Sequence, residues 1–293
     1  MEVLTRPLYQ PIRYCAQGTP ATGKSESASL LAQRLRIPYI NIDAASMPDY
    51  HTAAAQLLGS GRGIVGSHQS GRLEQAAKHH TGVVVEISDL DHAPLSVRST
   101  LADLFLQVLE TGEAQSATGA MFSCANLIFA FTMNLPQGMD EQIYKGIGFN
   151  NYPSRCEVER RVADEIKNML SSAFLSRVGM PILFEPLDGD ALAVIVERVI
   201  KISIFNAAER LRCPIQDIIL EEGLGKKVIV SLQTSITSFG ARALLEHGRT
   251  VAAKALSAIQ QRSVLLAGKS LFITASSEGK LIINHQEKRR IIC

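Results

Sequence analysis

The stretch Gly18-Thr-Pro-Ala-Thr-Gly23-Lys24-Ser25 decides how the rest of this chain is interpreted. It fits the pattern G-x-x-x-x-G-K-[ST], in which glycines let backbone N–H groups curl around phosphate oxygens without side-chain clashes. The lysine supplies positive charge to the β- and γ-phosphates, and the following hydroxyl binds Mg²⁺. The pattern therefore predicts a phosphate-binding loop for ATP and Mg²⁺, with Ser25 as a metal ligand. The predicted nucleotide-binding residues are Gly18, Thr19, Pro20, Ala21, Thr22, Gly23, Lys24 and Ser25.

The chain on either side of this loop alternates short apolar runs with amphipathic runs. Short runs rich in β-branched residues predict buried strands, and apolar residues three and four apart predict helices. The predicted strands are 12–16, 38–42, 83–87, 126–132 and 182–184, and the predicted helices are 24–35, 73–80, 96–109 and 158–174. This alternation favours an α/β fold with a mostly parallel sheet, and it gives the loop the strand–loop–helix context that it requires.

The pattern changes after Pro186. Long helices are predicted over 189–211 and 241–259, and two apolar runs, 217–220 and 228–232, are separated by an acid–glycine turn. Residues 270–275 and 280–284 predict a hairpin about the turn at 276–279. We therefore predict a large α/β domain at 1–185 and a smaller α+β domain at 186–293.

The composition excludes several classes of protein. The chain has 293 residues, 46% of them hydrophobic, which is enough for one large or two modest cores. The net charge of +2 and the 5% aromatic content give no sign of a nucleic-acid partner, so none is expected. Five scattered cysteines without a C-x-x-C pair suggest neither a disulfide framework nor a zinc site. No stretch approaches the roughly 20 apolar residues of a membrane span, and the N-terminus does not read as a secretory signal, so we expect no membrane association and a cytoplasmic protein.

Two further motifs select a family. Gly63-Ile64-Val65-Gly66 lies in a glycine-rich loop, and Phe239-Gly240-Ala241-Arg242-Ala243-Leu244 fits [YF]-G-A-R-x-L. Together with the phosphate-binding loop, their order resembles the C-terminal ATPase module of the Clp/Hsp100 AAA+ unfoldases over nearly the whole chain. The resemblance implies a P-loop NTPase (AAA+) large domain followed by a small C-terminal lid domain. It makes Gly63, Ile64, Val65 and Gly66 the loop that grips substrate in the pore, with Ile64 in place of the usual aromatic residue, and it makes Arg242 the sensor 2 arginine.

The segment 83–91 lies where the family has the Walker B strand, which ends in Asp-Glu. One alignment places Ser88 at the Asp position and Asp89 at the Glu position, and another places Glu86 near the Asp position. In both alignments the acidic pair is broken. Asp89 is the first candidate for the metal or water role and Glu86 is the second. We expect nucleotide binding to survive this change and hydrolysis to be weakened.

The resemblance assigns three more sites. Phe131-Thr132-Met133-Asn134 ends a predicted strand where the family has sensor 1, so Asn134 would help to place the attacking water. Ala173-Phe174-Leu175-Ser176-Arg177-Val178 resembles the segment with the arginine finger, so Arg177 would act in a neighbouring subunit, which implies a homo-oligomer and, in this family, a hexameric ring. Ile147-Gly148-Phe149 resembles a tripeptide that docks a peptidase or adaptor, although a buried loop pair also explains it.

Two functions lead on these grounds, and a third, an AAA+ protein of nucleic-acid work such as a loader, is the least supported because the basic patches are modest and aromatic residues are few. The first is an AAA+ ATPase that binds and hydrolyses ATP to remodel or unfold protein substrates. The second is a catalytically weak or inactive nucleotide-binding regulator or scaffold, which the altered Walker B segment favours.

Overall fold

The computed structural model of the chain describes residues 10–61, 70–135, 154–210, 212, 215–231, 246, 250, 270–275 and 281–286. The chain divides into two compact units. The first holds Met1–Thr19 and Gly23–Glu185, and the second holds Pro20–Thr22 and Pro186–Cys293.

A five-stranded sheet, with every neighbouring pair parallel, forms the centre of the first unit. Its strands are β1 (Ile12–Gly18), β2 (Tyr39–Asp43), β3 (Val83–Ser88), β6 (Leu127–Asn134) and β7 (Ile182–Phe184). They lie in the order β2-β3-β6-β1-β7. A separate antiparallel pair is formed by β4 (Glu113–Gln115) and β5 (Met121–Ser123). The prediction of an α/β fold with a parallel sheet is confirmed.

Helices cover both faces of the sheet. They are α1 (Lys24–Leu35), α2 (Tyr50–Leu58), α3 (Arg72–Ala77), α4 (Leu95–Thr111), α5 (Arg155–Met169) and α6 (Ser172–Val178), with a 3-10 turn at Ala44–Ser46. Side chains alternate along a strand, so β6 serves two cores. Its residues Ile128 and Ala130 pack with α1, while Phe129 and Phe131 join the larger core that includes α4 and α6.

The strand order brings distant parts of the chain to one edge. In the register of β1 and β6, Gly18 lies opposite Asn134, and β3 ends beside them at Ser88. The carboxyl ends of parallel strands meet at the same edge, which is where ligands bind in open α/β sheets. The sheet therefore presents the phosphate-binding loop beside the ends of β3 and β6.

The second unit has its own core. It contains α7 (Gly189–Arg210), β8 (Asp217–Leu220), α8 (Leu224–Ser231), β9 (Ser270–Ala275) and β10 (Leu281–Gln286). The strand β9 pairs antiparallel with β10 and parallel with β8. One face of α7 packs Val196, Ile200 and Ile204 against Leu271 and Ile273 of β9. This is the small α+β arrangement that the sequence predicts.

Several predicted elements need correction. The helix predicted over 158–174 is two helices, because Ser171 adopts φ 140 and its hydroxyl caps the second helix at Phe174. The run 228–232 follows a turn as expected, but its first residues belong to α8. The helix α2 and the β4–β5 pair were not predicted. The helix predicted over 241–259 lies almost entirely outside the described residues, as does the turn at 276–279.

Candidate nucleotide-binding site

The phosphate-binding loop leaves the sheet at a point where only glycine fits. A Cβ at Gly18 would lie 2.2 Å from the carbonyl oxygen of Phe184 on the neighbouring strand. Gly23 adopts φ 96, a left-handed conformation that side chains disfavour, and α1 begins at the next residue. The first turn of α1 carries Ser25, whose side chain is exposed. The loop thus ends on a helix N-terminus, where backbone N–H groups and the helix dipole favour an anion.

The side chain of Lys24 folds back over the loop and is 9% exposed. Its ammonium donates to the carbonyl oxygens of Gly18 at 3.0 Å and Thr19 at 2.7 Å. It also donates to the side-chain oxygen of Asn134 at 3.1 Å, which joins the loop to the end of β6. The structure therefore brings two sequence-predicted site residues, Lys24 and Asn134, into direct contact.

Asn134 also donates hydrogen bonds to two carboxylates, those of Asp89 and Asp91. Its side-chain nitrogen donates to Asp89 Oδ1 at 3.4 Å and to Asp91 Oδ2 at 3.1 Å, and its backbone N–H donates to Asp91 Oδ1 at 2.9 Å. Asp89 adopts φ 52, an uncommon conformation for a residue other than glycine. Lys24, Asn134 and Asp89 thus form a continuous chain of hydrogen bonds at the carboxyl edge of the sheet.

The residue before Asp89 lacks a carboxylate and points elsewhere. Ser88 is 4% exposed, and its hydroxyl donates to the side-chain oxygen of Asn41 on β2 at 2.8 Å. The backbone carbonyl of Asn41 accepts from the Arg72 guanidinium at 2.8 Å. Ser88 therefore ties β3 to β2.

Glu86 is buried completely within the sheet. Thr132 donates its hydroxyl to Glu86 Oε1 at 2.9 Å, and the Tyr39 hydroxyl donates to Oε2. Burial, followed by the hydrogen bond and the charge of Glu86, raises the pKa of Tyr39 well above its usual value, so the phenol stays protonated as a donor. Both oxygens of Glu86 are thus engaged with neighbouring strands. Of the two carboxylates predicted for the Walker B role, the structure joins Asp89 to the loop lysine through Asn134 and holds Glu86 inside the sheet.

Arg177 lies near the other end of β1. Its guanidinium forms an ion pair with Glu110 at 2.6 Å and also donates to the Ala173 carbonyl at 3.3 Å. Arg13 at the start of β1 donates to the Arg177 carbonyl at 2.6 Å, and the strand from Arg13 to Gly18 spans about 16 Å at roughly 3.3 Å per residue. Within one chain, the structure does not bring Arg177 to the phosphate-binding loop.

Other predicted site residues lie outside the described part of the chain. These are the pore-loop residues Gly63, Ile64, Val65 and Gly66, the tripeptide Ile147-Gly148-Phe149 and the sensor 2 residue Arg242. Their roles remain predictions.

The sequence reasoning did not select Asp91. Asp91 lies three positions after the strand end at Ser88, within the segment Leu90-Asp91-His92-Ala93 that aligns this region with the family, but that alignment gives Asp91 no role. Its importance rests on contacts with Asn134, 43 positions away in the chain.

Two kinds of feature are absent from the residues that the structure describes. No group of three or more histidine, cysteine, aspartate or glutamate side chains among them could hold a metal ion. None of the helices placed in the structure is both long and apolar enough to cross a membrane.

The strand order and the loop with its lysine–amide–carboxylate chain define a P-loop nucleotide-binding domain. A family model described as "AAA domain (Cdc48 subfamily)" matches residues 11–180, so the chain belongs to this family.

Its curated relatives are Clp/Hsp100-type AAA+ proteins. The chain is 27% identical over 232 residues to the chaperone protein ClpB of Clostridium perfringens, covering 78% of this chain and 25% of that protein. It is 25% identical over 274 residues to the chloroplastic chaperone protein ClpC2 of Oryza sativa subsp. japonica, covering 91% and 29%. A ClpA homolog of Pyropia yezoensis, described as an ATP-binding subunit of an ATP-dependent Clp protease, is 24% identical over 283 residues, covering 94% and 33%. The chain thus spans a quarter to a third of the length of these relatives, and the predicted resemblance to Clp/Hsp100-type AAA+ ATPases is confirmed.

Proposed function

We propose that this chain binds ATP with Mg²⁺ and hydrolyses it to remodel or unfold protein substrates. The observation that carries the proposal is the hydrogen-bonded chain from Lys24 through Asn134 to Asp89. It places the three kinds of group that ATP hydrolysis needs at one edge of the sheet: a cation for the phosphates, an amide and a carboxylate. Family membership supports ATPase activity in general terms.

The residues present fit a nucleoside triphosphate. The loop backbone and Lys24 would hold the β- and γ-phosphates. Asn134 and Asp89 would orient the attacking water, and Asp89 would accept its proton. The ammonium of Lys24 would exchange at least part of its present contacts with backbone and amide oxygens for phosphate oxygens.

The fit to Mg²⁺ is reduced. Ser25 offers an exposed hydroxyl and Asp89 a carboxylate, whereas the neighbouring Ser88 has no charge and is bonded to Asn41. When bound, the metal would offset charge on the phosphates. One available carboxylate in place of an acidic pair predicts weaker metal binding and slower turnover than an intact pair would give.

The remaining roles concern assembly. Arg177 is half-buried and lies away from its own loop, so we propose that it serves the nucleotide of a neighbouring subunit in a ring, which the family resemblance makes hexameric. Ile64 would grip the polypeptide in the pore, Arg242 would sense the γ-phosphate, and the loop at Ile147-Gly148-Phe149 would dock a peptidase or adaptor. We place this activity in the cytoplasm, without a nucleic-acid or membrane partner.

A second candidate function is a nucleotide-binding regulator or scaffold with weak or absent hydrolysis. The contacts of Ser88 with Asn41, and of Glu86 with Tyr39 and Thr132, favour it, because among the residues predicted for the Walker B role they leave Asp89 alone joined to the loop lysine through Asn134. ATP turnover separates the two functions.

The test is steady-state ATP hydrolysis with Mg²⁺, together with direct measurement of ATP binding. We expect Lys24→Ala to remove binding, and Arg177→Ala to keep binding while lowering kcat by about a thousandfold, the lower end of what an arginine finger contributes. Lys78→Ala is the matched control, since Lys78 forms an exposed ion pair with Glu74 on α3. Wild-type binding without turnover would favour the regulator, and binding that survives Lys24→Ala would contradict both functions.

A further inference from the structure

Both carboxylate oxygens of Asp91 accept hydrogen bonds from the same residue, Asn134. Oδ1 accepts the backbone N–H of Asn134 at 2.9 Å, and Oδ2 accepts the side-chain nitrogen of the same residue at 3.1 Å. The Asp91 side chain is 12% exposed, so water competes little for these bonds. Asp91 thus fixes both the position of the end of β6 and the orientation of the amide it carries.

The charge of Asp91 determines which way the amide faces. A carboxylate only accepts hydrogen bonds, so it requires the nitrogen of Asn134 on its side, which turns Oδ1 toward the Lys24 ammonium at 3.1 Å. The reverse orientation would place the amide oxygen against carboxylates and the NH₂ group against the ammonium, so that every contact would be repulsive. The present orientation is therefore the one in which all partners are satisfied.

Asp89 is less suited to this task. It accepts from the side chain of Asn134 at 3.4 Å, close to the limit of a hydrogen bond, whereas the backbone N–H of that residue donates to Asp91. On the solvent side, Asp91 Oδ2 also lies 3.2 Å from His92 Nε2. The structure therefore divides the work between two carboxylates two positions apart: Asp91 holds the amide, and Asp89 is left for the nucleotide.

We propose that Asp91 is the positioning residue for Asn134 in the hydrolytic step, acting through the orientation of the amide and touching neither nucleotide nor water itself. This inference rests on the proposed ATPase function. It assigns a role to an acidic residue outside the Walker B positions, and it explains how one amide can face both the loop lysine and a carboxylate in a fixed direction.

The variant Asp91→Asn tests the role, because its amide has a single acceptor oxygen, whereas Asn134 bonds to both oxygens of the carboxylate. We expect kcat for ATP to fall by about tenfold or more, which is the usual effect of removing a hydrogen-bond partner that orients a functional group. The Kd for ATP should change by less than about threefold, near the lower limit of what one hydrogen bond contributes, since the loop backbone and Lys24 remain. In an Asn134→Ala background, Asp91→Asn should have no further effect on kcat.

A second readout does not depend on turnover. In protein labelled with [¹⁵N]asparagine, the side-chain NH₂ signals of Asn134 should shift and exchange faster with solvent in Asp91→Asn. The matched control is Asp49→Asn, which alters a carboxylate that caps α2 at Thr52, in a separate part of the unit. If Asp91→Asn does not fold, Asp91→Glu, which keeps the acceptors but displaces them, should give smaller changes in the same directions.

The outcomes separate the two proposals. If the wild-type chain does not hydrolyse ATP, the proposed function fails, and the NMR shift still decides whether Asp91 orients the amide. Unchanged Asn134 signals in Asp91→Asn, or unchanged kcat in an active enzyme, would overturn the positioning role.

Discussion

At the scale of single residues, the site depends on a few positions, in the loop and at Asn134 and Asp91, where the backbone geometry or the hydrogen bonds require one type of residue. The pattern of glycine, lysine and serine in the loop follows from the backbone geometry that phosphate requires, so the sequence alone predicts these residues as the phosphate-binding ones. Asn134 could be placed at a strand end by its position after an apolar run. Asp91 could not be found this way, because its role is set by the pairing of β3 with β6, which brings residues 43 positions apart into contact.

Gly18→Ala tests the close approach at the start of the loop. Because a Cβ would lie 2.2 Å from the Phe184 carbonyl oxygen, the strands β1 and β7 must move apart to accommodate it. We expect ATP affinity to fall at least about tenfold and the protein to lose about 1–3 kcal/mol of stability, the usual cost of forcing extra atoms into a packed site. Urea unfolding and ATP binding measure the two effects. The control is Gly189→Ala, which would meet no atom within 4 Å and should change neither by much.

Gln17, one residue before Gly18, is fully buried, and neither polar atom of its amide has a hydrogen-bond partner among the residues that the structure describes. Its neighbours in the sheet register are Met133 and Leu183. Leaving a buried amide unsatisfied costs about 1–3 kcal/mol, so replacing it with an apolar side chain of similar volume should stabilise the protein. We expect Gln17→Met to raise the free energy of unfolding in urea by about 1 kcal/mol or more. A loss of stability would mean that the amide is hydrogen-bonded in solution.

At the scale of elements, helices were predicted well where the apolar spacing was uninterrupted. The run at 24–35 matches α1 at both ends, because a loop and a left-handed Arg36 bound it. The run at 158–174 was wrongly merged, because apolar residues continue at helical spacing through Ile166, Leu170 and Phe174 and the break at Ser171 is a matter of backbone conformation. The missed helix α2 did have a signal, since Asp49 caps it by accepting from the Thr52 backbone N–H.

A cluster of aromatic rings holds α4 and α6 against the sheet. Phe105 of α4 makes edge-to-face contacts with Phe129 and Phe131 of β6 at centroid distances of 5.2 and 5.0 Å, and Phe174 of α6 contacts Phe131 at 5.1 Å. Phe105 is completely buried, so Phe105→Ala would open a cavity at the centre of this cluster. We expect a loss of about 3–5 kcal/mol in the free energy of unfolding.

Leu95→Ala is the matched control for this prediction, because Leu95 begins the same helix and is 68% exposed. It should change stability by no more than about 0.5 kcal/mol, as surface substitutions do. Both variants are compared by urea unfolding followed by circular dichroism. A similar small effect for the two would contradict the view that the aromatic cluster joins α4 to β6.

At the scale of the whole molecule, the sequence predicted the fold class but not the order of the strands. The alternation of strands and helices is a local pattern and implies a parallel sheet. The position of β1 between β6 and β7 depends on pairing between residues more than a hundred positions apart, as in the contact of Ile12 with Ile128. The spacing of apolar residues does not encode such a pair. Periodicity predicted the helices and strands, and the expectation of a P-loop AAA+ domain came from the family resemblance.

The two predicted domains give the last test. The core of the second unit, built around Ile204 of α7 and Ile273 of β9, is a cluster distinct from the core that contains Phe105. If 1–185 and 186–293 are domains in the thermodynamic sense, a cavity in one core should lower protection from hydrogen exchange in that unit alone. Ile204→Ala should cost about 2–5 kcal/mol and speed exchange in α7, β8 and β9, while amides of β1, β3 and β6 keep their wild-type rates. Phe105→Ala provides the reciprocal measurement. If either variant lowers protection equally in both units, the chain unfolds as one cooperative body. The boundary at Pro186 would then separate two architectures that do not unfold independently.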